Sequence, residues 1–254
     1  MTDLRYRLVV LTHGRCEPLA ETMQSFHEYV TPEPADVVVH YDGVGPSEFS
    51  FGKGGEPDER TAHFLKTWRK LLGIDGFQLS GLAGQQGFCS ATRSAWAAGA
   101  AEEVGQPIDY IFYLEHDFRF LRGVDLTELA IVLEGEQELA QIALARDATA
   151  DERSRGGDTI FGHPRDLFEE REFIDLRTGE IAARKPYLVH SVYFSTNPSL
   201  MRRRFMIENP WPDYPQFCEG RFGIDLIARD YSFAIWGDGE PWVSHIGKRE
   251  GHGY

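Results

Sequence analysis

The sequence is short of cysteine, of basic residues and of long apolar runs, and each shortage excludes a class of protein. Only Cys16, Cys89 and Cys218 occur, so we expect neither a disulfide framework nor a zinc site with paired ligands. With 26 basic against 40 acidic side chains, the formal charge of −14 disfavours a general nucleic-acid binder. No apolar run approaches the ~20 residues of a membrane span, and none fits a signal peptide. We therefore expect a soluble cytoplasmic protein.

Apolar and aromatic residues are plentiful, at 42% and 13% of the 254 residues, which predicts a packed core. Residues 7–12 form a short apolar run typical of a buried strand, and 18–29 have the periodicity of an amphipathic helix. Residues 36–43 predict a second strand that ends in an Asp-Gly turn. This order predicts a right-handed crossover between two parallel strands.

The rest of the chain continues the alternation of helices and strands. A nearly continuous apolar run at 109–114 is typical of a central strand buried on both faces. The basic run 202–204 is interpreted as a solvated helix face. The other predicted segments are loops at 43–60 and 146–165, helices at 63–72, 87–103, 125–144 and 223–231, strands at 188–194, 233–236 and 242–246, a turn and helix start at 195–198, and an ordered proline-rich loop at 209–215.

The strongest local signal for chemistry is the Glu115-His116-Asp117 triplet, which directly follows the predicted central strand. Ligands of open α/β sheets bind at the carboxyl ends of strands. Two carboxylates two residues apart at such an end can hold Mg²⁺ or Mn²⁺, ions that commonly chelate diphosphates. The alternative is a charged triplet that only ends the strand.

A second candidate group lies near the end of the chain. His245 follows a predicted strand and could complete a metal site with Asp117, or it could be an ordinary buried or surface histidine. Lys248 and Arg249 come just after it and could neutralise a diphosphate. The glycine-containing tail that follows is interpreted as a lid, or else as a frayed terminus.

Glu219 and Asp225 are the candidates for a general base. Asp225 is also explained as a helix-end carboxylate stabilised by the helix dipole and by Arg229 four residues later. Glu219 has no such structural explanation, so it is the preferred base. The sequence contains no serine nucleophile elbow, Walker A loop or dinucleotide fingerprint.

The order of these segments resembles the GT-A glycosyltransferases, closest in style to family 2, over residues 8–245. The resemblance implies one domain over 1–254 with a Rossmann-like, mixed and mostly parallel sheet flanked by helices. The first half, to about residue 120, would bind the nucleotide-sugar, and the second half the acceptor, with a C-terminal lid. The donor contacts that the resemblance implies are Thr12, His13, Gly14, Arg15, Asp42, Arg93 and Glu115, with Lys248 and Arg249 at the diphosphate.

The resemblance also implies roles for the carboxylates. Glu115-His116-Asp117 falls where the family has its DxD motif, so Asp117, with His245, would ligate the divalent metal. Residues 225–229 resemble the DLxxR stretch after the family's acidic catalytic pair, but Gly223 and Ile224 replace that pair here. The base would then be Glu219 or Asp225, in an inverting single displacement.

Substrates follow from the same resemblance. A UDP-sugar is the first expectation for the donor and a GDP-sugar the second. Loop aromatics that we expect to be exposed would stack on an acceptor, with Trp211 and Tyr214 foremost and Phe217 and Phe222 beside them. The acceptor would be a glycan, a protein or a hydroxymethylated DNA base, the last in a host cytoplasm if the chain is phage-encoded. A metal-dependent nucleotidyltransferase and a non-catalytic nucleotide- or carbohydrate-binding domain are the alternatives.

Overall fold

The computed structural model describes residues 4–12, 16–42, 66, 77–81, 87–101, 107–147, 163–174 and 184–247. The strands are β1 (Tyr6–Thr12), β2 (Val30–Thr31), β3 (Asp36–Tyr41), β4 (Phe77–Gly81), β5 (Tyr110–Glu115), β6 (Phe118–Phe120), β7 (Val124–Asp125), β8 (Leu139–Leu144), β9 (Arg146–Asp147), β10 (Phe168–Ile174), β11 (Arg184–His190), β12 (Ser199–Arg202), β13 (Ser232–Trp236) and β14 (Val243–His245). The helices are α1 (Cys16–Tyr29), α2 (Phe88–Ala100), α3 (Leu126–Gly135), α4 (Arg203–Glu208) and α5 (Cys218–Ile227), with a short 3₁₀ helix at Arg165–Leu167.

A nine-stranded sheet in the order β10-β11-β13-β8-β12-β5-β1-β3-β4 forms the centre of the described fold. Strands β11 and β12 run antiparallel to their neighbours, and the other seven run in one direction. The predicted class, a mixed and mostly parallel α/β sheet flanked by helices, is therefore confirmed. Strands β6, β14 and β9 form a small second sheet, and β2 pairs with β7.

Strand β1 lies between β3 and β5, parallel to both, as the β-α-β pattern predicts. Parallel strands place their carboxyl ends at one edge of the sheet. Thr12 ends β1, Asp42 follows β3 and Glu115 ends β5, so all three reach the same edge. The backbone N–H of Asp42 donates to the Thr12 carbonyl at 2.7 Å, which ties two of these strand ends together.

The two faces of the sheet are covered by different helices because side chains alternate along each strand. Leu8 and Val10 of β1 pack in a cluster with apolar residues of α1 and α3, including Phe26. Val9 and Leu11 pack on the opposite face with residues of α2, α4 and α5. Helices α2 and α5 thus lie on one face, next to the edge where the strand ends gather.

In the basic run 202–204, Arg204 is exposed on α4 as the sequence suggests, but Arg202 and Arg203 do not form a solvated helix face. Arg202 is only 3% exposed and donates to the carbonyls of Glu136 and Gln137 just past α3, among others. Arg203 donates to the Ala100 carbonyl at the end of α2. Guanidinium groups at helix carboxyl ends satisfy carbonyls that lack partners within the helix and complement the dipole. These two arginines hold helices in place.

Several predicted elements are wrong in extent or type, among them the strand predicted at 188–194, which is β11 at Arg184–His190. The helix predicted at 125–144 ends at Gly135, and β8 follows, because its six residues are all buried in the sheet. The segment 195–198 leads into strand β12 and not into a helix. Helix α5 begins at Cys218, five residues before the predicted start at 223, so Glu219 lies in its first turn.

Other predictions fall on residues outside the described ranges. These are the loop at 43–60, the helix at 63–72 apart from the helical Lys66, most of the loop at 146–165, and the tail after 247. Among the described helices, none has the length and apolarity needed to cross a membrane.

Candidate active site

The Glu-His-Asp triplet forms a tight turn between β5 and β6 that the rest of the sheet edge anchors. The His116 N–H donates to the Leu11 carbonyl at 3.0 Å, and the His116 carbonyl accepts from the Thr22 hydroxyl at 2.6 Å. His116 is buried, whereas the two carboxylates beside it are partly exposed. Both acidic side chains are therefore held at the carboxyl edge of the sheet by a rigid backbone.

Asp117 and His245 meet across the small second sheet. Strand β14 pairs antiparallel with β6, and this register sets His245 opposite Phe118, the residue after Asp117. His245 Nε2 lies 3.1 Å from Asp117 Oδ2. Two residues that are 128 positions apart in sequence thus share one polar contact at the site.

This pair fits the ligand set of a divalent cation. Two ligands bound at about 2.1 Å and at right angles to one octahedral ion lie about 3.0 Å apart, close to the distance between His245 Nε2 and Asp117 Oδ2. Carboxylate and imidazole are ligands that Mn²⁺ and related ions accept. No cluster of three or more His, Cys, Asp or Glu ligands occurs among the described residues. The described residues would thus supply one or two ligands, as is usual where substrate phosphates supply the rest.

Gly247 allows the chain after β14 to pass directly over Asp117. The Ile246 N–H donates to the Asp117 carbonyl at 2.8 Å, which brings residue 247 against the carboxylate. A Cβ atom at 247 would overlap Asp117 Oδ2 and lie 3.0 Å from His245 Nε2. Only glycine avoids this overlap.

We expect Gly247→Ala to separate Asp117 from His245 and to destabilise the fold by about 1–3 kcal/mol, the usual cost of overpacking. Metal-supported nucleotide binding should weaken with it. Calorimetric titration and denaturant unfolding measure the two effects. The matched control is Gly135→Ala, where an added Cβ meets no atom within 4 Å. Equal behaviour of the two variants would contradict the close approach at Gly247.

Glu219 and Glu115 are joined by the hydroxyl of Thr196. Thr196 Oγ1 lies 2.6 Å from Glu115 Oε1 and 2.7 Å from Glu219 Oε1. The Thr196 N–H also donates to Glu219 Oε1, at 2.7 Å. Glu219 is therefore held by two groups of one residue and lies beside the carboxylates that follow β5.

The pKa of Glu115 is shifted by burial and by the two carboxylates beside it. Burial raises the pKa of Glu115 well above its usual range, and the charges of Asp117 and Glu219 raise it further. The Thr196 hydrogen bond and the charge of Arg146 act in the opposite direction. The Thr196 hydroxyl has one hydrogen and lies within hydrogen-bond distance of both Glu115 Oε1 and Glu219 Oε1, so the two carboxyl groups share one donor.

Asp225, the other candidate base, points elsewhere. It is exposed, and its carboxylate accepts a hydrogen bond from the Tyr214 hydroxyl. The Arg229 Nε donates to the backbone carbonyl of Asp225 and not to its carboxylate. Of the two acidic residues, Glu219 is the one that the structure brings to Glu115.

An open cleft lies beside the triplet, between the sheet edge and the start of α2. Three of its lining residues, Thr12, Asp42 and Glu115, are predicted donor contacts. The other lining residues are Leu11, Phe88, Ala91 and His116. The cleft combines apolar walls with a few polar groups, as small-molecule sites usually do.

Of the remaining predicted donor contacts, only Arg93 belongs to the residues that the structure describes. His13, Gly14, Arg15, Lys248 and Arg249 lie outside the described residues. Arg93 does not line the cleft, and its Nη1 lies 2.5 Å from Asp213 Oδ1.

The expected exposure of the loop aromatics is wrong for two of the four. Trp211 is 4% exposed and Phe222 is fully buried, because both rings pack in an aromatic cluster with Trp96. Neither ring face is open to an acceptor. Phe217 is 75% exposed and Tyr214 is partly buried, so these two remain accessible.

Sequence reasoning missed Thr196, Arg146 and Gly247. The polar run 195–197 directly after an apolar segment was a usable signal for Thr196, since polar residues that leave a sheet often line a site. Arg146 follows β8 and pairs with Val243 in the second sheet, which places its charge near Glu115. Nothing in the local sequence distinguishes Gly247 from its neighbouring glycines.

No protein-family profile and no curated protein matches the sequence. Solved structures do match it. The chain is similar to S. aureus TarS (TM-score 0.59, 12% identity, 96% of this chain and 37% of that chain), and to its 1–349 fragment in complex with UDP (0.59, 12%, 95% and 60%). It is also similar to GalNAc-T7 with UDP, GalNAc and Mn²⁺ (0.61, 13%, 98% and 45%).

The chain spans less than two thirds of each of these structures. TarS and GalNAc-T7 are both GT-A glycosyltransferases. At 12–13% identity the likeness concerns the arrangement of strands and helices, and it agrees with the sheet and the strand-end site described above. The chain therefore has the GT-A glycosyltransferase fold.

Proposed function

We propose that this protein is a glycosyltransferase that moves a sugar from a nucleoside-diphosphate donor to an acceptor hydroxyl. Residues 1–254 would act as one catalytic unit. The observation that carries the proposal is the convergence of Asp117, His245, Glu115 and Glu219 at the carboxyl edge of a GT-A sheet, beside an open cleft. Carboxylates for a metal and for a base are the two requirements of transfer from a nucleotide donor.

The donor site of this proposal is the cleft. Thr12 and Asp42 supply polar groups at the ends of β1 and β3, and Glu115 lies across from them at the end of β5. Two of the structural neighbours were solved with UDP, which supports a UDP-sugar as the first donor to test. A GDP-sugar is the second.

Glu219 is the proposed general base. Its carboxylate would take the proton of the acceptor hydroxyl as that oxygen bonds to the anomeric carbon of the donor sugar. The bond from the anomeric carbon to the diphosphate breaks at the same time, and its electron pair leaves with the diphosphate. A single displacement of this kind inverts the configuration of the anomeric carbon. Such a base typically contributes about 10²–10⁴-fold to the rate.

Asp117 and His245 are the proposed metal ligands. A bound Mn²⁺ or Mg²⁺ would supply positive charge for the diphosphate as it leaves. The GalNAc-T7 structure contains Mn²⁺, which supports manganese as the first ion to test. Arg146 adds a protein cation close to Glu115.

The acceptor side is proposed to lie near the start of α5. Phe217 directly precedes this helix with its ring exposed, two residues from Glu219. An aromatic ring there suits stacking on the apolar face of a sugar. Because Arg202 and Arg203 bind helix ends, the basic groove that would favour a DNA-base acceptor is not formed by these residues. A glycan or a protein is the proposed acceptor.

The direct test is nucleotide release from a panel of UDP- and GDP-sugars with Mn²⁺, first with water as acceptor and then with glycans and proteins. We expect release of UDP or GDP from at least one donor, faster with an acceptor present. The released sugar or product is then analysed for anomeric configuration.

Other outcomes separate the alternatives. Pyrophosphate release from a nucleoside triphosphate and a sugar phosphate would establish a nucleotidyltransferase. Nucleotide binding without release from any donor would establish a non-catalytic binding domain. Either result would overturn the proposal.

A further inference from the structure

Both hydrogen-bond donors of Thr196 reach one oxygen of Glu219, and its hydroxyl also lies 2.6 Å from Glu115 Oε1. Its backbone N–H and its hydroxyl each lie 2.7 Å from Glu219 Oε1. Hydrogen bonds to a charged group are stronger than those between neutral groups, so two of them fix the orientation of a carboxylate. The other oxygen, Oε2, makes no hydrogen bond with the residues that the structure describes.

Two elements of the fold, the segment before β12 and helix α5, bring Thr196 and Glu219 together. Strand β12 runs antiparallel to β5 with Ser199 opposite Tyr113, so the residues before Ser199 extend past the end of β5, where Glu115 lies. This register places Thr196 at the carboxyl edge of the sheet. Thr196 is itself buried, at 5% exposure, so its position is set by packing and not by solvent.

Helix α5 reaches the same point because Gly223 lets it approach closely. A Cβ atom at 223 would lie 2.8 Å from the backbone nitrogen of Phe194, closer than real Cβ contacts allow. Residues four apart lie on the same face of a helix, so Glu219 and Gly223 face the segment 194–196 together. The missing side chain at 223 brings the carboxylate of Glu219 within reach of Thr196.

We propose that Thr196 is a positioning residue of the transfer reaction, which holds Oε1 of Glu219 so that Oε2 receives the acceptor proton. This inference rests on the proposed function, in which Glu219 is the base. The acceptor O–H bond breaks and the proton bonds to Oε2. The acceptor oxygen bonds to the anomeric carbon, and the diphosphate departs with the electrons of the broken bond. Thr196 exchanges no proton and touches neither substrate.

From the position of Thr196, we expect the loss of its hydroxyl to lower turnover and to leave donor binding unchanged. A base that rotates out of line loses the geometry on which proton transfer depends, and a misplacement of about 1 Å can cost about 10²-fold in rate. Neither Thr196 nor Glu219 lines the cleft that would hold the nucleotide. Loss of the hydroxyl should therefore lower kcat and leave the donor affinity unchanged.

The test compares Thr196→Val, which keeps the N–H and the shape but loses the hydroxyl, with Thr196→Ser, which keeps both donors. Thr31→Val is the matched control, since Thr31 is exposed on β2 away from the site. UDP binding with Mn²⁺ is measured by calorimetry, and kcat and KM by UDP release from the donor that the wild type turns over. We expect Thr196→Val to bind UDP within twofold of wild type and to turn over about 10–100-fold more slowly.

Thr196→Ser should recover turnover to within about threefold of wild type, because both donors are restored. Wild-type turnover in Thr196→Val would overturn the inference, and so would a Thr196→Ser variant as slow as Thr196→Val. If Glu219→Gln keeps wild-type turnover, the assignment of the base has failed and the role of Thr196 fails with it. Absence of both binding and release in the wild type would overturn the proposed function itself.

Discussion

Replacing Glu219 by glutamine should lower kcat by about 10²–10⁴-fold, the usual contribution of a general base. Glutamine keeps the size of the side chain and an oxygen that can still accept from Thr196, but it cannot take a proton at neutral pH. Donor binding should change little, because Glu219 does not line the cleft. UDP release under saturating donor, together with calorimetric titration of UDP, measures the two effects separately.

Asp225→Asn is the variant that distinguishes between the two candidate bases. The substitution is the same in kind, on the same helix, at the other acidic residue that the sequence offers as a base. Its carboxylate accepts from Tyr214 and is exposed, so we expect turnover close to that of wild type. Glu208→Gln, on the exposed end of α4, is a further control. A large loss in Asp225→Asn with normal Glu219→Gln would reverse the assignment.

The strands that end at the site could be predicted from local sequence patterns. Short apolar runs followed by polar residues predict strands that end at a ligand site, and β1, β3 and β5 follow that rule. The GT-A resemblance implies Thr12, Asp42 and Glu115 as donor contacts at these strand ends, and the structure places all three around one cleft. The prediction succeeds because parallel strands must end at the same edge of a sheet.

Contacts between distant segments could not be predicted in the same way. Thr196 reaches Glu115 only because β12 is antiparallel to β5, and the sequence of four residues from Ser199 to Arg202 carries no sign of its direction or partner. The neighbouring error, a helix expected after residue 198, has the same cause. Whether a short segment forms a strand depends on its packing against neighbouring strands more than on its own residues.

Helix α5 shows how tertiary packing overrides local propensity. Gly220 and Gly223 both weaken a helix, and the sequence pattern predicts a start only at 223. The structure begins the helix at Cys218, after Phe217 with a positive φ of 54°. Gly223 is used there for close contact with Phe194, and the gain from packing offsets its low propensity. The same packing buries Trp211 and Phe222, whose surroundings in a proline-rich loop suggested exposure.

The burial of Arg202 and the helix-end contacts of Arg203 could not be predicted from the sequence either. A run of like charges is usually solvated, and the sequence alone gives no reason to bury it. The carbonyls at the ends of α2 and α3 provide that reason, because each would otherwise lack a partner. Burial lowers the pKa of Arg202, which is the expected direction for a cation removed from water. That these carbonyls need guanidinium donors is known only once the ends of both helices are located.

Replacing Asp117 by asparagine should abolish the dependence of nucleotide binding on the metal. The substitution removes one unit of negative charge from a pair that fits a divalent cation, while the side chain keeps its shape. At an effective dielectric constant of about 20, a unit charge close to a divalent ion contributes several kcal/mol. Since about 1.4 kcal/mol corresponds to a factor of ten, Mn²⁺-supported UDP binding should weaken by about 100-fold or more.

The measurement is calorimetric titration of UDP and of GDP, each with Mn²⁺ and with EDTA, on the wild type, Asp117→Asn and Asp166→Asn. Asp166 is exposed in the 3₁₀ helix and serves as the matched control. In the wild type, EDTA should weaken binding to the level of Asp117→Asn, and EDTA should have no further effect on that variant. Wild-type binding that is indifferent to EDTA would remove the metal from the proposal and leave Asp117 and His245 as a hydrogen-bonded pair that fixes the turn after β5. In that case the charge of the leaving diphosphate would have to be met by protein cations, of which Arg146 is the one that the described structure brings to Glu115.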